Sequence, residues 1–153
     1  MNRSDLAHLF RPTYFLPNLK AKDKEKTMEE LVQPLLDAGV VKSKRLVLDT
    51  LSKRETLGST GIGKGVAIPH CRTLAVSDIH VAAGVSKVGV DFNAVDGKKV
   101  FLFFLIVAPP HDSSNLYLPV LGKIVEMVRD TKIRKVLTKA ESFEDFIQII
   151  RGE

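Results

Sequence analysis

Nine consecutive residues, Val100 to Ala108 (VFLFFLIVA), are apolar, and they restrict the fold more than anything else in the chain. The run is too short to cross a membrane as a helix. It is rich in aromatic and β-branched residues, with a turn signal, Asp96-Gly97, before it and Pro109-Pro110 after it. An unbroken apolar strand has no face left for water, so it reads as a central strand covered on both sides. Ile79 to Lys87 is a second β-rich run. Helix-like sequence must then supply the two covers.

Lys22 to Ala38 has helical spacing at Met28, Leu31, Val32, Leu35 and Leu36, with Asp23 placed as N-cap and Gly39 as the stop. Pro34 inside it should bend or shorten it. Ser43 to Leu57 reads as a second helix, Ser43 capping it and Gly58 just beyond. Asn115 to Arg129 repeats apolar residues at Tyr117, Val120, Leu121, Ile124, Val125 and Val128, with Pro119 tolerable in the first turn. A short helix over 131–138 and a last one opened by Ser142 follow. Tyr14 to Leu19 reads as an edge strand because of Pro17. Residues 1–12 read as a loose lead-in. Helices first, strands in the middle and helices last give an α/β fold, a single-domain sandwich with a central mixed β-sheet flanked by helices. No repeat, linker or low-complexity tract divides residues 1–153.

With 153 residues, one domain with a proper core is expected. No apolar stretch of about 18 residues occurs, so no membrane insertion is expected, and MNRSDLAHLF lacks the apolar core of a signal peptide. The single cysteine, Cys71, excludes an internal disulfide, and a cytoplasmic location is expected. Net charge is +5, yet basic and acidic residues alternate, as in KAKDKEK and KSKR, without the one-sided stripe of a nucleic-acid surface. No nucleic-acid partner is expected. An acidic protein partner would be favoured modestly by steering.

Between the helices and the central strand lies Leu57 to Arg72, LGSTGIGKGVAIPHCR, with four glycines in eight residues. It is not a P-loop. Gly58 to Gly65 reads G-x-x-x-x-G-K-G, with Gly65 where a magnesium-binding Ser or Thr would stand, and no helix follows it. Gly61, Gly63 and Gly65 fail as a dinucleotide fingerprint for the same reason. Glycines do leave amide groups uncovered, and a turn of such groups can cradle an anion. Gly58, Thr60, Gly61, Gly63 and Gly65 are the candidate phosphate loop. His70 closes the stretch, a side chain able to present a neutral nucleophilic nitrogen near neutral pH. Arg54, in the last turn of the preceding helix, either serves that helix end or offers a planar fork to phosphoryl oxygens. Cys71, His80 and His111 match no zinc spacing, and no metal or cofactor is expected.

The stretch RETLGSTGIGKGVAIPH, Arg54 to His70, resembles the signature of enzyme IIA domains of the fructose/mannitol type. These belong to the bacterial phosphoenolpyruvate-dependent phosphotransferase system, which includes stand-alone nitrogen-regulatory forms. The resemblance runs from about Thr13 to Ile150. It implies an α/β sandwich in which His70 accepts a phosphoryl group through Nε2 from an HPr-like, histidine-phosphorylated carrier protein, with Arg54 stabilising it. It also implies enzyme IIB or regulatory target proteins as further partners. The family pattern has a second histidine at the start of the helix after the central strand; YLPVLGKIVEMVRD puts Tyr117 there. Tyrosine can donate a hydrogen bond but cannot carry positive charge. His111, six residues earlier, is a substitute only if its loop folds back. Three roles stay open: a regulatory phosphocarrier, the preferred reading; a sugar-specific subunit passing phosphate to enzyme IIB; and a binding module that transfers nothing. In the first two the chain acts as a phosphohistidine relay component rather than a turnover enzyme.

Overall fold

A computed structural model describes residues 1–153. The nine apolar residues form β6 (Val100–Ala108) at the centre of a mixed six-stranded sheet. The other strands are β1 (Phe15–Leu16), β2 (Gly61–Gly63), β3 (Val66–Ala67), β4 (His70–Arg72) and β5 (His80–Val90). β5 lies antiparallel along one side of β6. β3 and β4 follow one another parallel along its other side. β1 extends the sheet beyond β5, and β2 pairs antiparallel with β3.

Alternation along β6 divides its apolar run between two cores. Leu102, Phe104, Ile106 and Ala108 enter one, which is covered by α1 (Arg3–Ala7), α4 (Tyr117–Val128), α5 (Thr131–Lys139) and α6 (Phe143–Arg151). Phe103, Leu105 and Val107 enter the other, under α2 (Lys24–Asp37) and α3 (Lys44–Thr56). The two-sided cover expected of an unbroken apolar strand is therefore present. α2 and the segment before it approach so closely that a Cβ on Gly84 would lie 2.8 Å from Leu19 and 3.0 Å from Leu31.

The caps follow the sequence reading. Asp23 accepts from Lys26 N, Ser43 from Leu46 N and Ser142 from Asp145 N. Pro34 does not shorten α2, which runs on to Asp37 with Pro34 inside it. The lead-in over 1–12 is a correction. Residues Arg3–Ala7 are helical, Leu6, Ala7 and Phe10 are buried, and the Phe10 ring sits edge-on to Phe104 and Phe146. Arg3 donates to the carbonyls of Ile149 and Ile150, at the end of α6. A five-residue helix is too short to show a 3.6-residue period. No helix is long and apolar enough to cross a membrane.

Candidate functional site

The stretch after α3 is a hairpin rather than an open loop. β2 and β3 pair across Lys64-Gly65, with Lys64 at φ 57° and Gly65 at φ 79°. Its donors are largely spent inside the protein. Thr60 gives both its amide (3.0 Å) and its hydroxyl (2.5 Å) to Glu55, and Gly61 N gives to Ser59 Oγ (3.0 Å). Gly58 N gives to Glu55 O (3.2 Å). Glu55 also pairs with Lys24 Nζ at 2.8 Å, its side chain being only 6% exposed. One carboxylate thus ties α2, α3 and the hairpin together.

This corrects the cradle expected from Gly58, Thr60, Gly61, Gly63 and Gly65. Thr60 has no donor left. Val66 pairs with Leu102 whereas His70 pairs with Ile106, so Gly63 and Gly65 lie towards the other end of β6. Gly61 is required for packing instead, since a Cβ there would meet Ala94 at 2.8 Å.

His70 begins β4 rather than ending the strand before it; Ile68-Pro69 separates the two pairings. Its Nδ1 lies 2.7 Å from Ile68 O. A carbonyl only accepts, so Nδ1 carries the proton and Nε2 keeps its lone pair. Burial holds the His70 pKa below its ordinary 6.5. The Ile68 bond works the other way, Arg54 lowers it further and Glu55 raises it. The ring is therefore neutral at pH 7.

Arg54 stands in the last turn of α3 and donates Nη1 to Gly58 O at 2.9 Å. α4 brings Tyr117 to the site from the other side. It starts without a side-chain cap on its own N-cap residue, but Asp112 accepts from Leu116 N (3.0 Å) and Tyr117 N (3.3 Å). The Tyr117 ring is 7% exposed, and its centroid lies 6.2 Å from that of His70. Burial pushes its hydroxyl up to about 12, the Cys71 thiol adding to the shift and Arg72 and Arg54 opposing it. The hydroxyl keeps its proton at any physiological pH. His111 is exposed in the loop before α4.

Arg72 escaped the sequence reading. Its guanidinium lies 4.5 Å from the Tyr117 ring centroid, a cation–π contact, and its Nη1 is 3.4 Å from Pro110 O. The signal was available: two residues beyond His70 on a strand is the same side of the sheet. Cys71 between them faces the core under α2 and α3, where burial raises its pKa to about 12. His80, at the start of β5, stacks edge-on against Tyr14. The site therefore gathers one neutral imidazole, one phenol and two guanidinium groups. Exposed Leu57, Leu74 and Leu118 flank Arg54, Arg72 and Tyr117 in sequence.

The chain belongs to the EIIA 2 family of the phosphoenolpyruvate-dependent sugar phosphotransferase system, whose pattern matches residues 8–152. It is 37% identical over 133 residues to the PTS system fructose-specific EIIABC component of Bacillus subtilis, covering 87% of this chain and 21% of that longer protein. It is 30% identical over 145 residues to the nitrogen regulatory protein of Bradyrhizobium diazoefficiens, covering 95% of this chain and 94% of that one. The crystal structure of nitrogen regulatory protein IIA-Ntr from Neisseria meningitidis superposes with a TM-score of 0.86 at 30% identity, covering 95% of this chain and 98% of that one. The resemblance read from Arg54 to His70 and the α/β architecture are both borne out.

Proposed function

We propose that the protein is a phosphocarrier that takes a phosphoryl group on His70 Nε2 from a histidine-phosphorylated, HPr-like carrier protein. The observation that carries this reading is the Ile68 carbonyl fixing the proton on Nδ1. The neutral Nε2 forms the new P–N bond as the donor's P–N bond breaks, and the donor imidazole leaves with the bonding electron pair. Enzymatic phosphoryl transfer asks for positioning and charge stabilisation more than for covalent chemistry. Arg54 provides that stabilisation through its guanidinium, which the Gly58 carbonyl holds beside the ring. The Tyr117 hydroxyl, protonated throughout, donates to a phosphoryl oxygen. Arg72, stacked on that phenol, restores the positive charge that a second histidine would have carried. Leu57, Leu74 and Leu118, exposed and close in sequence to these residues, offer apolar surface to the docking carrier.

A regulatory form is the reading we prefer, supported by the nearly end-to-end likeness to nitrogen regulatory proteins. Transfer to enzyme IIB is the alternative, supported by the likeness to the fructose-specific component. The test is incubation with phosphoenolpyruvate, enzyme I and the carrier protein, followed by intact mass. One acid-labile, base-stable phosphoryl group per chain is expected. An unmodified mass under conditions that phosphorylate the carrier would overturn the reading in favour of a module that only binds. Adding a purified enzyme IIB then separates the other two, because a sugar-specific subunit would lose its phosphoryl group to it.

A further inference from the structure

At the end of β6 away from His70 lies a cavity of about 390 Å³. Four residues of strand separate Leu102 at its floor from Ile106 beside His70, about 13 Å at the rise of a strand. Lys64 from the hairpin tip, Lys87 from β5, and Arg134 and Lys135 from α5 line it, and no carboxylate does. Three other cavities of comparable size all include acids: Glu30 and Asp37 in one, Asp145 and Glu153 in the second, and Asp23, Glu25, Glu55 and Asp91 in the third. Only Lys87 has a carboxylate partner, the exposed Glu141 at 3.9 Å, so the recess keeps an excess of positive charge, the electrostatic form of an anion site.

The backbone around it is specialised. Pairing of β5 with β6 shifts register between Val85 and Val90, and such irregularities recur beside functional sites. The shifted segment is closed by Gly89 N donating to Ser86 Oγ at 3.0 Å. Gly89 has φ 88°, and a Cβ there would strike the Phe101 ring at 2.9 Å. Ser86 is 2% exposed and lines the cavity. It accepts the Gly89 bond, and its own proton has no acceptor in the protein. A hydroxyl that lines a recess can give that proton to whatever acceptor fills it. Arg134 is held by Val128 O (2.7 Å), Arg129 O (2.9 Å) and Thr131 Oγ1 (3.1 Å), which fixes its planar group at the cavity wall. Phe101 and Leu102 supply an apolar surface beside the charges.

We infer that this cavity binds a small phosphate monoester, its phosphate meeting Lys64, Lys87, Arg134, Lys135 and the Ser86 hydroxyl while its organic part lies on Phe101 and Leu102. A monoester is favoured over a larger polyanion because the charges surround a recess rather than form a stripe. The site is separate from the His70 reading and does not rest on it.

The test is an amide chemical-shift titration of the intact protein with glycerol 3-phosphate and glucose 6-phosphate, and with inorganic phosphate and ionic-strength-matched sodium chloride as comparisons. Saturable shifts centred on Gly65, Lys87 and Thr131 are expected, at lower concentration for the esters than for inorganic phosphate. Lys87→Gln combined with Lys135→Gln should weaken binding about tenfold, as two partly exposed charge contacts allow. Ser86→Ala should weaken it severalfold. The lysine pair is mutated rather than Arg134, whose bonds also close the end of α4. Unsaturable shifts, shifts matched by sodium chloride, equal binding of esters and inorganic phosphate, or unchanged binding in the lysine variant would each overturn the assignment. Shifts confined to His70 and Tyr117 would do so as well, since they report the other end of the strand.

Discussion

The two ends of β6 present their charged groups in opposite ways. At the Ala108 end each group is held by a fixed acceptor: His70 by Ile68 O, Arg54 by Gly58 O, and the start of Tyr117's helix by the Asp112 carboxylate. At the Val100 end Lys64, Lys87 and Lys135 are exposed, and only Arg134 is fixed among several bonds. The first arrangement holds reactive groups in one geometry, as group transfer requires. The second concentrates positive charge with little geometric demand, which suits capture of an anion. Positive charge alone therefore does not single out the proposed transfer site; a neutral imidazole with a fixed tautomer does.

The strongest way to break this comparison is to remove the imidazole. His70→Ala should abolish phosphorylation, read as intact mass, while His80→Ala leaves it, since His80 lies at the start of β5 stacked on Tyr14. Equal labelling of the His70→Ala protein would move the reaction elsewhere.

Next in size is Arg54→Lys. It keeps the charge but loses the planar fork. Loss of a preorganised electrostatic donor costs on the order of 10²–10³ in rate, so rapid-quench phosphorylation should slow by about that factor. A normal rate with altered thermal stability would instead assign Arg54 to closing α3 through Gly58.

Titration sharpens the contrast further. Because burial lowers the His70 pKa below 6.5, Nε2 stays unprotonated from alkaline pH down through 6.5. The rate should hold over that range and then fall about tenfold per pH unit below the shifted value. An imidazole proton titration by NMR would give that value directly; a midpoint at or above 6.5 would contradict the buried, tautomer-fixed ring. The same shift has a stability sign. As pH falls through 6.5, the unfolded chain takes up protons that folded His70 and His80 resist, so stability declines on acidification.

The legible parts of the molecule were those written in one contiguous run. VFLFFLIVA implied a strand with two covered faces, and Asp23, Ser43 and Ser142 cap the helices they precede. Arg54, the glycines and His70 lie within seventeen residues, so the family resemblance was visible as a motif. What stayed hidden needed distant segments to meet. Lys24, Glu55 and Thr60 are a knot spanning α2, α3 and the hairpin, and it consumes the donors a glycine loop had promised. The basic cavity draws on residues from 64 to 138, none of which forms a local pattern. Arg72 was hidden differently, because a charged residue on a strand reads as solvated until an aromatic ring is found beside it.

The smallest effects concern Tyr117, where the fixed end of the sheet borrows from the logic of the other. The phenol cannot ionise near neutrality, its pKa being about 12, so its only polar contribution is one hydrogen bond, worth about 1 kcal/mol. Tyr117→Phe should slow phosphoryl uptake by about fivefold and leave the fold unchanged, since the ring still fills its place beside Val120 and Ile124 in the core. Arg72→Gln should cost a comparable factor by removing the cation above the ring, which an exposed cation–π contact holds with about 0.5–1 kcal/mol. The two roles can be told apart in combination. If Arg72 supplies the charge absent from Tyr117, then Tyr117→His should accelerate transfer and make Arg72→Gln less damaging than in the parent protein. Additive effects measured by rapid quench in all four proteins would instead mean that Arg72 serves docking of the carrier, independently of the ring it covers.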